Sequence, residues 1–158
     1  MRITFEVISA DLRTVAVLLE ALTTLDLVWL DERPQTPRLY ESGVRYEPED
    51  GSELWPVIPI VLARGFGNCD HLAAWRAAEL RHDGHTDAIA FPVRVPSAPN
   101  VVHCLVSRDR SGRHIEDPSA RLGMPPIPPR ELARVVEEHR QWLSRSCRSW
   151  SLAALSSR

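Results

Sequence analysis

From Leu72 to Leu80 the chain reads Leu-Ala-Ala-Trp-Arg-Ala-Ala-Glu-Leu, a run that propagates well as helix yet leaves little purely polar face. Ala73, Ala74, Ala77 and Ala78, set beside Leu72, Trp75 and Leu80, suit a helix packed on more than one side, so a fold has to be built around this segment. Both ends are marked. Gly65 and Gly67 permit an irregular turn and Asn68 is a good N-cap, while Arg81 and His82 place positive groups in the last turn before Gly84. Cys69 therefore falls at a helix N-terminus, one of the places where a thiol gives up its proton most easily.

Downstream residues supply groups that would act on such a thiol. Thr86–Val95 reads as a strand, Pro96–Asn100 as a connection and Asn100–Ser107 as the next strand. Asp109–Gly112 then turns the chain, and Arg113–Asp117 returns as a strand closed by Pro118. A turn centred near Arg110 sets His103 opposite Asp117, with Cβ atoms about 4.5–5.5 Å apart. An imidazole–carboxylate bond there fixes the tautomer and leaves the second ring nitrogen for Cys69. Each residue also has a plainer reading. Cys69 alone fits a small buried hydrophobe, His103 a satisfied core histidine and Asp117-Pro118 a turn opener. Cys104 follows His103 on a strand and points to the other face, which argues for packing rather than a share in catalysis.

In order along the chain, Gly67-Asn68-Cys69-Asp70, Val102-His103 and Glu116-Asp117-Pro118 resemble the transglutaminase-like superfamily of papain-type cysteine enzymes, over Gly65 to Ser119. The resemblance implies an α+β fold in which a cysteine-bearing helix packs on an antiparallel sheet carrying the histidine and aspartate. It also implies acyl transfer through a thioester, by enzymes that include crosslinkers, deamidases, amidases and proteases, so the substrate stays open. Leu39-Tyr40-Glu41-Ser42-Gly43-Val44-Arg45-Tyr46 and Ala73–Leu80 are similar to small proteins of this type from phage and phage-like particle genes. The chain departs from many relatives at Asn68, where they have an acidic residue, and at His71, where a second acidic residue would follow Asp70. The family also needs a side-chain donor upstream of the cysteine to complete an oxyanion hole beside the Cys69 N–H, and Gln35, Tyr46 and Trp55 are the candidates.

A metal site is the chemical rival. Cys69, His71, His82, His85, His103, Cys104 and His114 are all zinc ligands by type, and His82-Asp83-Gly84-His85 offers a pair. Neither a Cys-x-x-Cys pair nor a His-Glu-x-x-His helix is present, so no metal and no cofactor is expected.

The 158 residues are enough for one core and short for two. A formal net charge of −2 gives no basic footprint for nucleic acid, and no apolar run has the length of a membrane span. With no signal-peptide pattern at Met1–Glu6 and an odd number of cysteines, the expected location is the cytoplasm, or a particle assembled there, with reduced thiols. All 19 basic residues are arginine, as a GC-rich genome would encode.

Ile3–Ile8 alternates like a strand. Asp11 to about Leu30 reads as an amphipathic helix whose core stripe is Leu12, Val15, Leu18, Leu19, Leu22 and Leu25. Asp31–Glu53 reads as a long surface loop and Trp55–Arg64 as a short helix or turn. These elements and the site belong to a domain spanning 1–124. Pro125-Pro126-Ile127-Pro128-Pro129 is a stiff connector, and 130–158 carries a C-terminal helix docked on the same domain or, through Trp142 and Trp150, on a partner.

The combined reading is a cysteine-dependent amide hydrolase or acyltransferase acting on a protein or peptide, with Cys69 as nucleophile, His103 as base and Asp117 orienting it. Water is the favoured acceptor over an amine because it needs no second binding site. The alternative is a catalytically weak structural or binding component of a phage-like particle. The two readings separate by thiol chemistry. An enzyme predicts iodoacetamide labelling of Cys69 near neutral pH, faster than Cys104 or Cys147 and dependent on His103. Equal labelling at all accessible cysteines, read by mass spectrometry, would favour the binding protein.

Overall fold

A computed structural model of the protein describes residues 11–48, 54–109 and 111–153, with side chains of the last helix described to Gln141. The strand expected at Ile3–Ile8, and the side chains of Trp142, Cys147 and Trp150, lie outside the described residues. Helix α1 (Leu12–Glu32) leads through a 3-10 turn (Leu39–Glu41) to strand β1 (Arg45–Tyr46). Helix α2 (Ile58–Arg64), strand β2 (Phe66–Gly67) and helix α3 (Cys69–His82) follow. Strands β3 (Ile89–Val95), β4 (Ala98–Ser107) and β5 (Ile115–Glu116) come next, then helices α4 (Pro118–Arg121) and α5 (Pro129–Ala153). The architecture is mixed α+β, with β3-β4-β5 forming an antiparallel sheet and β1-β2 a small parallel pair.

Helix α3 is central because it is apolar on nearly every side. Ala73, Ala77 and Leu80 meet the sheet at Ala90, Cys104 and Val106 and the residue before it, Ala88, with Leu19 of α1 closing that cluster. Leu72, Trp75 and Ala78 face the other way, into Leu30, Leu39, Val44, Ile58 and Val61. Trp75 is fully buried, and truncating a side chain of that size in a core costs about 3–5 kcal/mol. On the far face of the sheet Phe91, Val93, Val95 and Leu105 receive Ile127 of the Pro-rich segment and Leu132 and Val135 of α5. His139 of α5 stacks on Phe91 at 3.5 Å, and burial pushes its imidazole down to about 4.

The approach to α3 is shaped by a left-handed Gly65 (φ 75°), which ends α2, and by Gly67. A Cβ on Gly67 would stand 3.2 Å from Val61 Cγ1 and 3.3 Å from His71 Cβ. Only a glycine lets β2 pass so close to the helix it feeds.

Two expectations change. The stretch after Asp31 is not one long loop, since it contains the 3-10 turn and β1, whose Arg45 and Tyr46 pair with Phe66 and Gly67. The buried stripe of α1 is also rotated. It consists of Leu19, Leu22, Thr23, Asp26 and Leu30, while Leu25 is 59% exposed and Leu12, Val15 and Leu18 are only half-buried. The reason is Asp26. Its Oδ1 accepts the Ile58 N–H at 2.9 Å, satisfying a first-turn donor of α2 from another helix, and this draws a polar residue into the core.

Burial raises the Asp26 carboxyl from its ordinary 3.8 to about 8, against the lowering effect of the Ile58 hydrogen bond. A group whose folded value exceeds its unfolded one stabilises fully below the unfolded value and loses that contribution as pH climbs through the folded one. Asp26→Asn keeps the acceptor and removes the charge. Its urea midpoint should therefore gain on the wild type steadily between about pH 4 and pH 8 and level off above, and a constant difference across that range would show that Asp26 is not protonated in the fold.

Candidate active site

Asn68 caps α3 by accepting the His71 N–H at 3.4 Å, while His71 Nδ1 accepts the Asn68 N–H at 3.3 Å. This is a capping box with histidine where Glu or Gln is usual. The other ring nitrogen, Nε2, lies 2.7 Å from the Leu54 carbonyl and 3.6 Å from Asp70 Oδ2. Because Nδ1 must accept, the proton is on Nε2, and both nitrogens are occupied with structure. The departures at Asn68 and His71 are thus one local device that fixes the helix start. Cys69 is the first residue of that helix, where the backbone N–H has no intrahelical acceptor and the helix dipole is positive.

The sulfur meets the sheet at an edge left open. Arg108, just past β4, donates to the His114 carbonyl, and Val106 faces Glu116, so every second residue of β4 turns its backbone groups toward β5. Strand β5 ends at Glu116, and among the described residues no strand continues past it along Val102 and Cys104. Cys69 takes that place. Its Sγ lies 3.8 Å from the Val102 carbonyl and also accepts the Cys104 N–H. Residues 103 and 104 leave the strand on opposite faces, yet both reach a sulfur that sits at the strand's edge.

His103 Nε2 lies 3.0 Å from Asp117 Oδ2, which leaves Nδ1 for the Cys69 sulfur. The contact is not the cross-strand opposition expected. Val106 pairs with Glu116 and Ser107 with Ile115, a register displaced by two residues, and Asp117 has already left the sheet as the N-cap of α4. Its Oδ1 accepts the Ala120 N–H at 3.0 Å. A shift of two keeps side chains on the same face, so the pairing of residues survives while its route changes. One carboxylate thereby caps a helix and orients an imidazole.

Burial by itself would push His103 down, but the hydrogen bonds and charges of Asp117 and Cys69 outweigh it and lift the imidazole to about 9. For Cys69 the strongest influence is the hydrogen bond from the Cys104 thiol. Burial opposes it, and the His103 hydrogen bond and charge together with the Cys104 N–H reinforce it, so the thiol lies well below its ordinary range. Both shifts run toward the thiolate–imidazolium form of the couple. Cys104 does point away from His103, and it does belong to the buried cluster under α3. That same face is the one the Cys69 sulfur borders, so the thiol that packs there also lies against Cys69.

Of the three upstream donors, Tyr46 is beside the site. It pairs with Gly67, and its backbone N–H donates to the Leu122 carbonyl at 2.8 Å, tying it to the segment that follows α4. Burial, then the negative charges of Cys69, Asp117 and Asp70, push its phenol up, so it is a protonated donor. Trp55 packs against the same apolar cluster as Cys69. Gln35 is excluded. It lies exposed after α1, near Arg38, which pairs with Asp83 beyond the C-terminus of α3. That end is roughly 20 Å from Cys69 at 1.5 Å per helical residue.

The remaining histidines are dispersed. His82 contacts Asp31 at 2.9 Å and His114 contacts Asp109 at 3.4 Å, both exposed. Among the described residues no three His, Cys, Asp or Glu side chains form a metal-holding group, and no helix is long and apolar enough to cross a membrane. Compared with models of known protein families, with curated proteins and with solved structures, the chain matches none.

Replacing the Cys104 donor separates its influence on Cys69 from packing. Cys104→Ala should slow alkylation of Cys69 at pH 6 by about tenfold, the size of one lost hydrogen bond to a charged group. Cys104→Ser, which keeps a donor, should stay near wild type. Equal rates in the two variants would remove Cys104 from the account.

Proposed function

We propose that the protein is a cysteine-dependent amide hydrolase or acyltransferase of the transglutaminase-like kind. The observation that carries this reading is the convergence of a sulfur, an imidazole and a carboxylate at the edge of β4 beyond the end of β5. Three elements are involved, and each is locked by its own contacts: the capping box of α3, the sheet register of β4 and the N-cap of α4. Groups held in this way lose little freedom on reaching a reactive geometry.

In the proposed reaction the Cys69 thiolate attacks the amide carbonyl, and the pair of electrons from its C=O bond moves to the oxygen. That oxyanion is met by the Cys69 N–H and the Tyr46 O–H. Nδ1 of His103 then gives its proton to the leaving nitrogen, the C–N bond breaks, and a thioester on Cys69 remains. Water, deprotonated by the now neutral His103, attacks the thioester and releases the acid, which restores thiolate and imidazolium. Asp117 holds the ring in the tautomer with Nε2–H throughout. An amine in place of water would make the same site a crosslinker, and hydrolysis is preferred because it demands no second pocket.

Tyr46→Phe distinguishes this chemistry from mere thiol reactivity. Turnover of a peptide amide should drop by about 10²-fold, the typical loss for one oxyanion donor. Iodoacetamide alkylation of Cys69, which builds no oxyanion, should remain within about twofold of wild type. Product formed only when an amine is supplied would turn the assignment from hydrolase to transferase. No acyl-enzyme with any amide or ester donor would favour the weak structural or binding component.

A further inference from the structure

Arg76 and Glu116 touch neither the sulfur nor the imidazole, yet they join the elements that carry them. Arg76 lies two turns along α3 from Cys69. Its guanidinium meets Glu116 at two points, Nε to Oε2 at 2.8 Å and Nη2 to Oε1 at 3.1 Å, and its Nη1 donates to Glu79 Oε2 at 3.1 Å. Glu116 is the last residue of β5 and immediately precedes Asp117. Tyr40 adds a third element. Its O–H donates to Glu116 Oε2 at 3.1 Å, and the guanidinium carbons of Arg76 and Arg121 lie over its ring at 5.2 and 3.8 Å from the centroid. Arg121 ends α4, the helix that Asp117 caps. Asp117 is thus held from the residue before it and from the helix after it.

The chemistry of this contact favours geometry over stability. A planar fork bonded at both oxygens fixes plane as well as distance. The two side chains are 15% and 22% exposed, so solvent screens them little, but burying such a pair repays little net stability, and apolar residues of similar volume often replace one without loss. What an apolar pair cannot supply is direction. We propose that Arg76 is a positioning residue: by its two-point grip on Glu116 it sets Asp117, and with it the His103 ring, relative to the sulfur at the start of its own helix. The proposal rests on the site described above as the one being positioned, and its test reads the Asp117–His103 bond itself.

In nitrogen-labelled protein, exchange of the His103 Nε2–H and the pH midpoint of that ring can be followed by magnetic resonance. Arg76→Met and Glu116→Gln should each speed that exchange by about tenfold or more, lower the midpoint, and slow Cys69 alkylation at pH 7 by a similar factor. Loss of a nearby cation would, by charge alone, raise the midpoint, so a fall in Arg76→Met reports lost alignment. The pair Arg76→Met with Glu116→Leu, apolar and of similar volume, covers the case in which a single substitution unfolds. Arg38→Met, which breaks the exposed pair with Asp83 at the other end of α3, should leave every reading at wild type. Folded Arg76 and Glu116 variants with wild-type exchange and midpoint would overturn the proposal. A wild-type protein that hydrolyses no amide but responds as expected would remove the proposed function and leave the positioning role standing.

Discussion

The early end of β5 governs everything at the site. Had the strand run on, it would have paired with Val102 and Cys104 and left no room for a side chain at the edge of β4. Pro118 has no N–H to give, and Asp117 is committed to capping α4, so the sheet stops and the Cys69 sulfur occupies the vacated edge. From there it is reached from both faces of one strand, by His103 on one side and Cys104 on the other. A sulfur lying over either face alone would have met only one of them.

Holding that arrangement requires a stiff helix, and α3 is stiff because it is surrounded. The same burial makes polar groups inside the fold expensive, and three of them have definite partners. Asp26 accepts the Ile58 N–H, Glu79 accepts the Leu39 N–H and an Arg76 N–H, and His71 uses both ring nitrogens. Burial pushes the carboxyls of Asp26 and Glu79 up. At Cys69 and His103 hydrogen bonds favour the charged forms instead.

What could be read from the sequence was local. The limits of α3 were written in Asn68, in the alanine-rich run and in Gly84, and the helix spans Cys69–His82. The His103–Asp117 contact was legible as a pair of residues and not as a register, because a hairpin's turn type leaves the pairing free to move by two while preserving its face. The polar residues of the core were illegible for a different reason. Periodicity assigns Asp and Thr to the outside, so Asp26 and Thr23 were replaced in the expected stripe by Leu25, which is exposed. Placing Tyr46 near Cys69 needed the parallel pairing of β1 with β2, a long-range contact that two-residue strands do not announce. The part of Cys104 was hidden by a sound premise, opposite faces, whose consequence depended on where the sulfur lay.

The central claim is that Cys69 is an anion at neutral pH because of what surrounds it at the edge of β4. Thiolate absorbance near 240 nm, titrated in the wild type and in His103→Ala, tests it most directly. The absorbance of the wild type should persist well below the ordinary thiol range, and the His103→Ala curve should move up toward it. Wild-type and variant curves that coincide at the ordinary thiol value would contradict it.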